Sequence, residues 1–299
     1  MSLLSGSKGA DEYALYKRIR NARFGELSRA ILYLKRKKLI HISGYRKNSR
    51  TGIRIPIYSF GSKKASFDSK FETTIVEELI GGLSFERSVE YDFVARNFSP
   101  TKNRMRILDV GSEMSELTRI ISRFGLQYRW EVCGIDISKF ERVADDKKTL
   151  PLFVQMDARY MGFRNNLFDI VLCISIFEHL GIELLDQSID KINIARSDVK
   201  ALSEIFRILR KGGRVLFTVP YIDDKIQGYT KNCRIYNSQM ISKLTRSFKI
   251  KKEEFYIYVN GIWRRCKRKH LTRELGLCHQ ESLPNHIESR VLLCLMLEK

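Results

Sequence analysis

The chain has 299 residues, 43% of them apolar, and a formal net charge of +20 at pH 7. That length allows one large domain or two modest ones, and the apolar share supports a packed core. No apolar run reaches the roughly 18 residues of a membrane-spanning helix, and the opening MSLLSGSKGADEY lacks the apolar stretch of a secretory signal, so a cytoplasmic protein without a membrane span is expected.

Six cysteines, at 133, 173, 233, 266, 278 and 294, form no Cys-x-x-Cys pair. This argues against a zinc ribbon and fits a reducing compartment. The charge is uneven. Residues 1–64 hold 16 Lys/Arg and 3 Asp/Glu, and a second basic cluster runs from Arg264 to Lys269. Such an excess implies a polyanionic partner, with nucleic acid (DNA or RNA) ahead of a membrane surface. The plain alternative is a solvated basic surface with no partner. Three zones are expected: a basic domain over 1–67, a helical linker over 68–104 and a larger domain over 105–299.

In the first zone, residues 24–38 pattern as an amphipathic helix, with Leu27, Ile31 and Leu34 at helical spacing and basic residues opposite. A short strand at Leu39–Ile42, a polar turn at Tyr45–Gly52 and a return strand at Ile53–Phe60 follow. The segment KKLIHISGYRKNSRTGIRIPIYSFG resembles the recognition helix and wing of small winged helix-turn-helix domains. That resemblance implies an α+β winged-helix domain contacting nucleic acid through Arg29 and Lys35 of the helix and Arg46, Lys47 and Arg50 of the wing. A protein–protein module is the alternative, since the fold does not fix the ligand.

From residue 105 the pattern alternates. Arg106–Val110 reads as a buried parallel strand, followed by a turn with one glycine, Gly111, and a helix carrying Leu117, Ile120 and Ile121 on one face. Trp130–Asp136 is a second strand ending in an acid, as a strand–helix–strand unit requires. Further strands are expected at Leu152–Met156, Phe168–Ile174 and Arg214–Val219, the last preceded by a helix over 199–209. A glycine lets a ligand approach the backbone, and the following helix N-terminus offers free N–H groups to a carboxylate. An acid at the second strand's end can take two ribose hydroxyls.

The set LDVG, GID, QMDA, FDIVLCISIFEHLG and EIFRILRKGGRVLFTVP resembles class I S-adenosylmethionine-dependent methyltransferases of the type 11 group, over residues 86–220. The resemblance implies an α/β, Rossmann-like fold with a seven-stranded, mostly parallel sheet, closed by an antiparallel hairpin from Phe248–Tyr258 and Arg290–Leu297. It implies S-adenosylmethionine held by Asp109, Gly111, Ser112, Glu113, Asp136, Ile137, Asp157, Ala158, Ile174 and Ser175, with Tyr91 capping it or serving as a core aromatic. Glu113 departs from the family's glycine-rich turn and narrows the carboxylate end. Glu178 and His179 are the catalytic candidates, His179 as base for a hydroxyl; a helix-start acid and a packed histidine are the alternative. Metal-dependent relatives carry a further glutamate where Ser175 stands, so no metal is expected. No Asn/Asp-Pro-Pro-Tyr/Phe motif and no Pro-Cys nucleophile occurs, which argues against a DNA base methyltransferase. The acceptor stays open between a small hydroxylated molecule and RNA. A DNA-binding regulator with a non-catalytic, ligand-sensing methyltransferase-like domain is the competing reading.

Overall fold

The structure is a computed structural model. It describes residues 10–11, 40–47, 54–60, 71, 85–113, 115–138, 151–182, 191–222, 228–229, 233–259, 262–271 and 289–299. The chain divides into two compact units, Met1–Arg96 and Asn97–Lys299.

In the first unit, β1 (Ala10–Asp11), β2 (Ile40–Lys47) and β3 (Arg54–Phe60) form an antiparallel sheet in the order β1-β3-β2. The expected strand pair over 39–60 is there, but β2 runs past Ile42 through Lys47. A bulge between Ile42 and Gly44 lets the strand continue, pairing Arg46 with Ile55 and Lys47 with Arg54. Arg46 and Lys47 are therefore strand residues rather than turn residues. The expected helix over 24–38, with Arg29 and Lys35, and Arg50 of the turn lie outside the described residues. Helix α1 (Phe85–Asn97) ends this unit, with Arg96 paired to Asp92 one turn earlier at 2.8 Å.

The second unit is built on one sheet. Its strands are β4 (Arg106–Val110), β5 (Glu131–Asp136), β6 (Leu152–Gln155), β7 (Phe168–Ile174) and β8 (Leu209–Tyr221), then β11 (Lys249–Val259), β12 (Ile262–Cys266) and β13 (Val291–Glu298). A small pair, β9 (Gly228–Tyr229) and β10 (Arg234–Ile235), lies apart from it. The main order is β12-β11-β13-β8-β7-β4-β5-β6. The five strands from β6 to β8 are parallel, and β13 inserts antiparallel between β8 and β11, closing the sheet as the hairpin expectation required. The sheet has eight strands, not seven. The extra edge strand is β12, which carries the start of the 264–269 basic cluster and pairs with β11 from Val259 back to Phe255. Trp263 buries its ring edge-to-face on Tyr258 and Cys266 packs against the core, which seats the segment on the sheet despite Arg264 and Arg265.

All seven residues of β7 are buried, as expected for a central parallel strand covered on both faces. Helix α2 (Glu116–Gly125) buries Leu117, Ile120 and Ile121, and α3 (Lys191–Ile208) buries Ala201, Leu202, Ile205 and Ile208 at helical spacing. Each of these buried Leu and Ile side chains stabilises the fold by about 1.5–3 kcal/mol relative to exposure. A short helix α4 (Ser238–Leu244), capped by Asn237, packs on the antiparallel half. No described helix is long and apolar enough to cross a membrane.

Candidate functional site

The chain leaves β4 on one side to form β5 and β6, and on the other to form β7 and β8. An open parallel sheet receives ligands at such a switch point, beyond the strands' carboxyl ends. A slot lies there, bounded by the residues after β4, β5, β6 and β7.

Gly111, at the tip of β4, has φ +75°, a left-handed conformation that favours glycine. A Cβ there would lie 2.4 Å from Cγ1 of Ile176, so the turn tolerates no side chain. The N–H groups of Gly111 and Ser112 both donate to the carbonyl of Ile135, at 2.9 and 3.0 Å, pinning the turn to β5. Gly134 keeps that approach open, since a Cβ on it would sit 2.6 Å from the Ser112 hydroxyl.

Asp136 ends β5. One carboxylate oxygen accepts the Glu113 N–H at 3.0 Å and the other the Ser138 N–H at 2.9 Å. Ile137 beside it is 50% exposed, an apolar face on the slot's rim. Asp157 follows β6. Arg159 grips its carboxylate through Nε and Nη2, the latter at 2.6 Å, while the Arg159 N–H donates at 2.8 Å. Burial alone would raise the Asp157 carboxyl; the hydrogen bonds and charge of Arg159, with the charge of Lys200, outweigh it and hold the group below the ordinary carboxylate range. Ala158 completes that wall. Ile176, His179, Leu180 and Gly181 bring in the turn after β7.

Several expected contacts lie elsewhere. Asp109 is buried and accepts the Thr118 hydroxyl, bracing β4 to α2. Ser112 is buried behind the turn. The Glu113 side chain is exposed and outside the slot, and the residue adopts φ +28°, so its backbone rather than its carboxylate serves Asp136. Ile174 is buried in β7, and the Ser175 N–H donates to the Thr218 hydroxyl at 3.0 Å; neither lines the slot. Tyr91 sits half-buried on α1 of the first unit.

Glu178 and His179 part company. His179 is exposed on the slot's rim, whereas Glu178 is buried at 4% exposure. The carbonyls of this turn are held from below. The Arg234 N–H donates to Glu178 at 2.8 Å, Arg234 Nη2 to Leu180 at 3.4 Å and the Tyr236 hydroxyl to Phe177 at 3.0 Å. Arg234 and Tyr236 both meet Asp198 at 3.1 Å. Burial, then the Asp198 charge, pushes the Tyr236 phenol well above its ordinary range, so it stays a donor.

Arg159, Ile176 and Gly181 were not singled out from the sequence. Arg159 had a faint signal, a cation two residues after a turn aspartate; Ile176 had none, because its place over Gly111 is set by the β4–β7 pairing.

Residues 108–217 match the model of the methyltransferase domain family. The match spans the chain from β4 into β8, and so contains every residue of the slot. The domain's methyl donor is S-adenosylmethionine. No curated protein matches the chain. Among solved structures, the (4+2)-cyclase SpnF is similar at 14% identity over 98% of this chain and 97% of its own, with a TM-score of 0.48. A 1,6-didemethyltoxoflavin-N1-methyltransferase of Burkholderia thailandensis, solved with 1,6-didemethyltoxoflavin and S-adenosylhomocysteine, is 11% identical over 86% and 99%, at 0.45. A methyltransferase of Methanosarcina mazei is 11% identical over 68% and 96%, at 0.44.

The slot's residues fit an adenosyl group in chemistry: a turn that only glycine fills, a carboxylate at the β5 tip and an apolar rim at Ile137. It is narrow, about 50 Å³, against the ~300 Å³ or more of typical ligand pockets. Ile176 lies against Gly111 and Arg159 against Asp157 in its lining.

Proposed function

We propose that the protein transfers a methyl group from S-adenosylmethionine to an acceptor hydroxyl, on a small molecule or on RNA. The observation that carries this reading is the convergence of Gly111, Asp136 and Asp157 on one slot at the sheet's switch point. Asp136 takes the ribose hydroxyls. Each of its oxygens accepts one backbone N–H and keeps a further lone pair, so neither bond need break. Ile137 lies along the adenine, Asp157 takes its amino group once Arg159 turns away, and the Gly111 turn faces the carboxylate end. Bound S-adenosylmethionine supplies a methyl group activated by its sulfonium, which leaves the chain to align the acceptor and remove a proton. His179, exposed on the rim, is the residue placed to take that proton on an imidazole nitrogen. Glu178 shapes the turn that presents it.

The test is transfer of labelled methyl from S-adenosylmethionine to fractionated RNA, DNA, protein and small metabolites. A labelled product lost in His179→Ala supports the reading; label in no fraction from a protein that binds the donor overturns it. That outcome would favour a second reading, a ligand-sensing domain without catalysis, which the narrow slot also supports.

For the first unit, the strand order β1-β3-β2 supports the winged-helix reading, with Arg29, Lys35, Arg46, Lys47 and Arg50 on nucleic acid. Affinity for a DNA duplex that falls with salt, and less steeply in Arg46→Gln/Lys47→Gln, is the expected result; no dependence on salt removes the phosphate contacts.

A further inference from the structure

A second, larger hollow lies on the antiparallel half of the sheet, away from the slot. It has a volume of about 690 Å³, within the ~300–1,000 Å³ of ligand sites. Its walls are α4 with the residues after it, the start of β11, and Arg268 beyond β12, and Tyr221 at the tip of β8 lines it as well.

Its charge is one-sided. Residues 242–270 hold ten Lys/Arg and two Asp/Glu, a net +8. Lys243 and Arg246 line the hollow, are exposed, and make no ion pair among the described residues. Arg268 lines it too, 3.6 Å from Glu253 and over the Phe255 ring. Glu253 is the one acid in the lining, and Arg268 already offsets it. The floor is not purely polar. Phe248, fixed edge-to-face on Phe206 at 5.1 Å, and Ile250, 44% exposed, line it as well. Cations and an anchored aromatic lining one groove suit a strand that offers phosphates and unstacked bases together. A duplex offers this groove phosphates alone.

We infer that this groove binds single-stranded nucleic acid, its phosphates on Lys243, Arg246 and Arg268 and a base against Phe248. The groove shares no lining residue with the methyl-donor slot, is built from residues of the second unit alone, and does not depend on either reading above. Only β7 lies between β8 and β4, with neighbours about 4.8 Å apart, and β7 and β8 are parallel, so a strand passing Tyr221 lies at the same end of the sheet as His179, which follows β7.

The test is fluorescence anisotropy of a labelled mixed-sequence 20-mer RNA with the full chain, across a salt series. The parent is compared with Lys243→Glu/Arg246→Glu, with the milder Lys243→Gln/Arg246→Gln and with Phe248→Ala. Binding at least ten-fold weaker in the charge swap is expected. In the neutral variant, the log–log salt slope should be shallower by about 1.4, two single-strand contacts at ~0.7 each. Phe248→Ala should weaken binding with the slope unchanged. Affinity and slope unaltered in both charge variants, or a matched duplex or anionic vesicles bound more tightly through the same residues, would overturn the inference. The neutral variant keeps the result decisive if the charge swap fails to fold.

Discussion

At the scale of single residues, the slot is made by exclusions as much as by contacts. Gly111 has no room for a methyl group, and its φ is left-handed. Gly111→Ala is therefore expected to cost about 1–3 kcal/mol of stability, read by urea unfolding, and to abolish donor binding. Arg159 sets the state of Asp157. Because the Asp157 carboxyl lies lower in the fold than in the unfolded chain, its contribution is present above the ordinary carboxylate value of ~3.9 and fades as pH falls through the folded value. Arg159→Met should thus be less stable than the parent at pH 7, with the gap closing below about pH 4. Equal gaps at pH 7 and pH 3 would contradict it. Two thiols in the sheet are expected to be inert. Burial pushes Cys133 up to about 11 and, with the Asp109 charge, Cys173 well above its ordinary value. Iodoacetamide at pH 8 should leave both unlabelled in the folded protein.

At the scale of elements, the turn after β7 is where chemistry and stability meet. It hangs from Arg234 and Tyr236, and Arg234 is 1% exposed against Asp198. Arg234→Met leaves Asp198 buried beside Tyr236 without the Arg234 cation. A loss of about 3–5 kcal/mol is expected, as for any buried pair broken from one side. Asp198→Asn, which keeps an acceptor for Tyr236, should cost less. The sequence carried the strands of this half with little error: β4 and β7 fall on the expected residues, because continuous apolar runs ending in polar tips have few other uses. It also placed Asp136 and Asp157 at strand ends, where the slot needs them. It did not carry the role of Glu178, since an acid beside a histidine looks the same whether it faces a ligand or a core. The fold buries Glu178, and its backbone carbonyl accepts the N–H of Arg234, more than fifty residues downstream. Nor did it carry β12, which interrupts its apolar residues with Arg264 and Arg265 and seats Trp263 on Tyr258.

At the scale of the whole molecule, charge and chemistry are segregated. The excess of cations sits in residues 1–64 and 242–270, while the charged residues lining the slot are two aspartates and Arg159. The central claim is that Gly111, Asp136 and Asp157 form one site for S-adenosylmethionine, and isothermal titration of that compound into the full chain tests it most directly, with Asp136→Ala alongside and circular dichroism to show that the variant is folded. A single saturable site that the folded variant loses is the outcome expected here. Absence of heat with the parent chain, or undiminished binding in the variant, would contradict it.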